Sequence, residues 1–217
     1  VTTEVPPVVA LHGAVSMANG FPLLSGVDLE LAPSSLTVLV GANGAGKTSL
    51  LQLLAGLLSL TSGEGTVLGF DLASDDRRLL RRHVGWLGHE GSFYDDLTVA
   101  ENLTFAAKAL ARPLDDLSNV LTRVDLMGRR DTIAKSLSAG QRRRLGLAWL
   151  LLRRPQLWLL DEPYASLDDD GRSFFDALIA EVLERGATVV VSAHDPLRSA
   201  QLSPATLTMV GGRIVTP

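Results

Sequence analysis

Gly41-Ala42-Asn43-Gly44-Ala45-Gly46-Lys47-Thr48-Ser49 follows the apolar run Leu36-Thr37-Val38-Leu39-Val40 and leads into Leu50-Leu51-Gln52-Leu53-Leu54. Strand, glycine loop and helix in that order give G-x-x-x-x-G-K-[ST] the setting it needs to be a phosphate cradle and not a chance match. Glycines let the backbone wrap closely around phosphate oxygens without a Cβ in the way. The N–H groups of the loop and the helix N-terminus then favour anionic oxygen, because partial positive charge concentrates there. Lys47 is placed to reach the β- and γ-phosphates, and the Thr48 hydroxyl to ligate Mg²⁺. The plain alternative is a glycine-rich strand-to-helix turn without a ligand, and the flanking pattern argues against it. The stretch predicts a nucleoside triphosphate site.

Further along, Leu157-Trp158-Leu159-Leu160-Asp161-Glu162-Pro163 is an apolar strand ending in two acids. Beside a phosphate loop, Asp161 is placed to hold Mg²⁺ through its water shell. Glu162 is then placed to polarise a water for in-line attack on the γ-phosphate. Acids also follow buried strands simply because the chain reaches solvent there, a reading the phosphate loop weakens. Between the two motifs, Leu137-Ser138-Ala139-Gly140-Gln141 opens a helix that runs to about Leu152. Ser138 is a good N-cap, and the small residues after it leave backbone N–H groups open to a ligand.

The chain has 217 residues, enough for one well-buried core, whereas two independent domains would each be small. A formal charge of −4 argues against a protein that coats nucleic acid. With no cysteine, disulfides, thiolate metal sites and cysteine nucleophiles are excluded. The longest apolar candidate, Leu145 to Leu152, is bracketed by arginines and falls short of the roughly 18 residues of a membrane span. Val1 to Pro7 lacks the basic flank and apolar centre of a signal peptide. These features predict a soluble chain.

Residues 8–40 read as short strands with turn signals at Asn19-Gly20 and Ser25-Gly26, a small antiparallel layer before the loop. A Leu-rich helix is expected over 47–58, a turn at Thr61 to Gly65, and strands at Thr66 to Leu68 and Val84 to Leu87. Residues 95–153 carry helical periodicity, with Leu103, Ala106, Ala107 and Leu110 on one face. Leu157 to Leu160 and Thr188 to Val191 have the continuous apolar character of central parallel strands. A helix over 171–185 stops at Gly186, and Thr206 to Val215 reads as a closing hairpin. The arginines at 77–78, 81–82 and 142–144 are expected on solvated helix faces.

The order of Gly41–Ser49, Leu137–Gln141, Leu157–Pro163, Ala165-Ser166-Leu167-Asp168 and His194 resembles an ATP-binding cassette (ABC) ATPase over essentially the whole chain. The resemblance implies an α/β P-loop NTPase fold: a RecA-like, mostly parallel sheet core with an N-terminal antiparallel β layer and an inserted helical subdomain. It implies a single ABC domain over 1–217, with β layer and core to residue 90, helices over about 91–153 and core again from 154. It also implies ATP and Mg²⁺ as ligands, and a head-to-tail pair of subunits sandwiching two ATP molecules. In that pair Ser138, Ala139, Gly140 and Gln141 contact the γ-phosphate held by the partner's loop, Ala139 standing where glycine is usual. Asp168 lies across the dimer seam, and His194 orients the γ-phosphate and the attacking water. A polytopic membrane subunit is the implied partner, which places the chain in the cytoplasm, peripheral on the inner face of the cell membrane, with no nucleic acid involved.

The sequence departs from the family pattern at two places. His89, in Trp86-Leu87-Gly88-His89-Glu90-Gly91-Ser92, stands at the family's glutamine position near the nucleotide, and imidazole is a poor Mg²⁺ ligand. His89 then serves to bind water or to relay motion to the partner, with direct ligation by Glu90 left open. Ala18 stands where an adenine-stacking aromatic is usual, and Phe21 substitutes only if the Asn19-Gly20 turn brings it round. Leu87-Gly88-His89, Leu137 to Arg144 and Leu157 to Tyr164 resemble haem-exporter ATP-binding subunits of cytochrome c maturation. An ATPase of a lipid, drug or peptide exporter is the alternative. A chromosome-organising ABC ATPase lacks its coiled-coil or zinc insertion here, and a ribosome-associated factor its second cassette. A P-loop kinase leaves Ser138 to Gln141 and His194 without a role.

Overall fold

The computed structural model describes residues 5–74, 77–88, 93–111, 113–114, 116–165, 167–195 and 202–215. Strands β1 (Val9–Ala18) and β2 (Phe21–Leu31) form an antiparallel hairpin. Its two turn residues, Asn19 and Gly20, both have positive φ (50° and 79°), the left-handed backbone a tight hairpin turn needs. The chain continues through β3 (Leu36–Val40), α1 (Lys47–Leu54), β4 (Ser62–Val67), β5 (Phe70–Asp71), α2 (Arg78–His83) and β6 (Val84–Leu87). A helical stretch follows with α3 (Val99–Ala109), α4 (Asp116–Arg123), two short 3₁₀ turns and α5 (Ala139–Arg153). Last come β7 (Leu157–Leu160), α6 (Asp169–Glu184), β8 (Thr188–Ala193), β9 (Ala205–Val210) and β10 (Arg213–Val215).

These strands make two sheets. The antiparallel one has the order β2-β1-β4-β5, and the central one the order β10-β9-β3-β8-β7-β6. In the central sheet β9, β3, β8, β7 and β6 run parallel, and only β10 is reversed. Side chains alternate faces along a strand, so a sheet covered on both sides needs apolar residues at every position. Trp158, Leu160, Val189 and Val191 enter one core with the helical stretch and α6. Leu157, Leu159, Val190 and Leu39 enter the other with α1 and the antiparallel sheet. The first core joins residues of α3 and α5 to residues of the sheet, so the helices share the core and do not form one of their own. α5 approaches β6 closely enough that a Cβ on Gly146 would lie 2.4 Å from Leu87 Cδ1. Among the described residues no helix is long and apolar enough to cross a membrane.

Some expected boundaries moved. Ser25-Gly26 is not a turn: it lies within β2, where the pairing shifts from Ala14–Val27 to Val15–Ser25 and Gly26 is the extra residue of a bulge. Residues 62–65 are likewise strand, paired with β1, despite a composition that reads as loop. α1 stops at Leu54, four residues early, because the chain turns through Gly56 at φ 67°. β5 was not anticipated, whereas α2 is the helix expected to carry the arginines of 77–82, with Arg78, Arg81 and Arg82 exposed on it. The arginines of 142–144 are not a solvated face. Arg142 lies 4.9 Å over the Phe93 ring and pairs with Asp95, Arg144 lies over Phe174 and pairs with Asp125, and Arg143 turns inward.

Candidate active site

Register brings the site together. Val40 pairs with Ala193, Leu160 with Val191 and Leu87 with Leu160, so the segments after β3, β8, β7 and β6 all emerge at one edge of the sheet. This is where open α/β sheets bind ligands, outside the carboxyl ends of their strands. The Gly41–Ser49 loop leaves β3 with Gly44 at φ 77° and Gly46 at φ 103°. A Cβ on Gly46 would press on Gly212 Cα at 3.1 Å and on Leu23 O at 3.2 Å. The β9–β10 turn braces the loop from behind: Gly212 N donates to Ala45 O at 2.9 Å, and Ser25 N donates to Gly212 O at 2.9 Å. In front of the loop is a cavity of about 390 Å³, whose lining includes Asn43, Lys47, Thr48, Ser49 and Glu162.

Lys47 is 5% exposed, and its Nζ donates to Gly41 O at 2.6 Å and Ala42 O at 3.1 Å. Among the described residues no carboxylate pairs with it. A buried ammonium satisfied only by carbonyls fits a site made for an anion. Thr48 Oγ1 donates to Asp161 Oδ2 at 2.8 Å, which sets two hard oxygen donors side by side beneath the cavity. No group of three or more His, Asp or Glu among the described residues could hold a metal unaided. The Thr48–Asp161 pair suits Mg²⁺, which takes one or two protein oxygens and completes its shell with phosphate and water. Glu162 follows at φ 46°, and His194 Nε2 stands 3.5 Å from its Oε1.

The pieces that the loop, Asp161, Glu162 and His194 predicted separately thus meet at one place. A family model described as ABC transporter matches residues 24–165. This chain belongs to the ABC transporter family. The cytochrome c biogenesis ATP-binding export protein CcmA of Pseudomonas fluorescens is 42% identical over 177 residues, covering 81% of this chain and 83% of that protein. CcmA 2 of Cupriavidus metallidurans is 40% identical over 188 residues, covering 85% and 89%. Among solved structures, an ATP-binding subunit of an ABC transporter has a TM-score of 0.85 at 22% identity over 95% of this chain and 88% of that chain. cbiO1 of Clostridium perfringens, part of the complex cbiONQ, has 0.80 at 23% over 98% and 88%. At that identity the structures speak for the fold, and the α/β P-loop architecture expected from the sequence is the one found. ATP is the ligand of this family, and the cavity of this ABC cassette is the candidate for its site.

Other expected site residues of the cassette lie apart from the cavity. Ser138 caps α5: its Oγ accepts from Gln141 N at 3.3 Å, while its own N donates to Gln141 Oε1 at 3.0 Å. This reciprocal box uses the Gln141 side chain locally, and helix geometry leaves Ala139 N and Gly140 N without an intrahelical acceptor. Asp168 caps α6, with Oδ1 accepting from Gly171 N at 2.8 Å. None of Ser138, Ala139, Gly140, Gln141 and Asp168 lines the cavity. His89, Glu90 and Ser166 lie outside the described residues. Phe21 sits opposite Ala18 in the hairpin, 73% exposed and not among the residues lining the cavity, although the next residue, Pro22, is. Tyr164 donates to Asp176 Oδ1 at 2.6 Å, and burial followed by that bond pushes its hydroxyl well above the usual phenol range.

Sequence reading missed two participants. Ser192 Oγ donates to Asp161 Oδ1 at 2.5 Å and accepts from Glu162 N at 2.9 Å, linking the two acids across β7 and β8. The signal available was a hydroxyl at the end of the apolar Val189 to Val191 run. Arg143 was grouped with its charged neighbours, yet its guanidinium reaches the backbone of both acids. Burial pulls its pKa down, opposed by the Asp161 and Glu162 carboxylates.

Proposed function

We propose that this ABC subunit hydrolyses ATP to drive a membrane transporter in cytochrome c biogenesis, with haem as the exported class of cargo. The cavity where Lys47, Thr48–Asp161 and Glu162–His194 converge carries the hydrolytic part of the reading. The relatives named for cytochrome c biogenesis and export support the transport part. In this reading the N–H groups of the Gly41–Ser49 loop and the Lys47 ammonium hold the phosphates. Thr48 and Asp161 hold Mg²⁺, which when bound neutralises charge on the phosphate oxygens. Glu162 accepts a proton from the attacking water, and His194 steadies the γ-phosphate side of the site.

Ser138, Ala139, Gly140 and Gln141 serve the nucleotide of a second copy. Their cap leaves two N–H donors aimed outward at a helix N-terminus, and they stand away from this chain's own cavity. Asp168 would lie at the same seam, and the helical stretch with His89 would meet the membrane subunit on its cytoplasmic side. Loss of the γ-phosphate loosens the pair and resets the transporter.

Glu162→Gln is the direct test. ATP binding should persist, turnover should fall by roughly 10²-fold or more, and the ATP-loaded protein should sediment as a pair. Undiminished turnover would remove Glu162 from the chemistry. A monomer under those conditions would remove the sandwich.

A further inference from the structure

β6 and β7 stop pairing at Leu87–Leu160, with one more bond beyond, from Asp161 N to Leu87 O at 2.8 Å. Past that point the carbonyls of Gly88, Asp161 and Glu162 have left the ladder, and one guanidinium gathers all three. Arg143 Nη1 donates to Gly88 O and Asp161 O at 3.3 Å each, and Nη2 donates to Glu162 O at 3.2 Å. Successive helical residues point about 100° apart, so three arginines in a row face three ways. Arg142 and Arg144 spend their charge on rings and carboxylates of the helical stretch, and Arg143 alone faces the ends of the strands.

Glu162 is one of the described non-glycine residues with left-handed backbone, and the one of them that lines the cavity. A non-glycine residue at φ 46° is strained, and it persists only where its surroundings over-determine it. Here its N–H is tied to Ser192 Oγ, and its carbonyl accepts from Arg143 and, at 3.1 Å, from Ala165 N. Relaxing the backbone would break these ties and swing the Glu162 side chain, which now lines the cavity. We infer that Arg143 is a positioning residue for hydrolysis: from the second turn of α5 it locks the Asp161–Glu162 corner so that the Glu162 carboxylate faces the phosphate site. Ser138, the cap of the same helix, lies only five residues before it. The hydrolytic corner is therefore tied directly to the helix tip that meets the partner's nucleotide. The inference rests on Glu162 being the base.

The test compares Arg143→Ala, Arg143→Lys, Glu162→Gln and the Arg143→Ala/Glu162→Gln double variant in the full chain. Arg143→Ala should lower kcat roughly 10- to 100-fold. Its ATP affinity, titrated without divalent metal so that no turnover occurs, should stay within about 2-fold of the parent. Arg143→Lys, which keeps the charge but not the planar fork, should recover only part of the loss. In the Glu162→Gln background the same Ala substitution should cost almost nothing more, because the group it positions is gone. Equal fractional losses in both backgrounds, or an affinity loss matching the kcat loss, would overturn the inference in favour of a purely structural role. Should Arg143→Ala fail to fold, the same comparison is made with Arg143→Lys. A crippled Glu162→Gln beside an unimpaired Arg143 variant defeats this inference alone, whereas full turnover by Glu162→Gln defeats the assignment of the base.

Discussion

Ser192 uses one hydroxyl twice, donating to Asp161 and accepting from Glu162 N, in a place without exposure to solvent. Removing the hydroxyl strands an amide N–H and takes from Asp161 one of its two hydroxyl donors, the other being Thr48. Unsatisfied buried groups cost about 1–3 kcal/mol, so Ser192→Ala should lower the unfolding free energy by that amount, read as a lower denaturant midpoint at unchanged slope. It should also slow ATP turnover, because Glu162 loses the tie on its amide side. A variant with parental stability would show that the two bonds contribute nothing net. The candidates that chemistry alone marks were legible in advance: Lys47, Thr48, Asp161 and Glu162 are polar groups that a glycine loop or an apolar strand delivers to one edge of the sheet. Ser192 and Arg143 were not. Each acts on a neighbouring strand, and only the β8-β7-β6 order and the close seating of α5 on β6 give them those neighbours.

At the scale of elements, periodicity carried well where one face or both faces of an element are buried. The continuous apolar runs of β3, β7 and β8 became the centre of the parallel sheet, and α6 stops one residue before Arg185 with Gly186 at φ 87°. It failed where glycine and serine sit inside strands. Gly63 illustrates the reason. It has φ 85° and sits where β1 bulges, and a Cβ there would lie 2.3 Å from Gly13 O. The glycine marks a close crossing of two backbones as surely as it would mark a turn, and only the distant partner strand decides between them. Gly63→Ala should therefore destabilise the fold by about 1–3 kcal/mol, from backbone strain and overpacking together. Thermal unfolding reads it out, and nucleotide affinity well below the transition should be unchanged because Gly63 does not line the cavity. An unaltered Tm would mean that β1 and β4 separate at little cost.

At the scale of the whole molecule, the proposed pair makes the phosphate loop of one copy and the capped tip of α5 of the other two halves of one site. The cavity takes its wall from β2, the phosphate loop, Glu162 and the β9–β10 turn, with nothing from residues 138–141. In that proposed two-fold pair each copy would offer the tip that its partner's cradle lacks. Two defective variants can show it. Lys47→Ala spoils the cradle and leaves the tip, while Ser138→Arg blocks the tip and leaves the cradle. Each alone builds only defective sites, so each should be nearly inactive. Mixed in equal amounts, random pairing gives half the pairs one sound cradle facing one sound tip, and the mixture should recover about a quarter of the parental ATPase rate. If Ser138→Arg is active alone, the tip plays no part in hydrolysis. If mixing restores nothing, the two halves do not meet across a seam between copies.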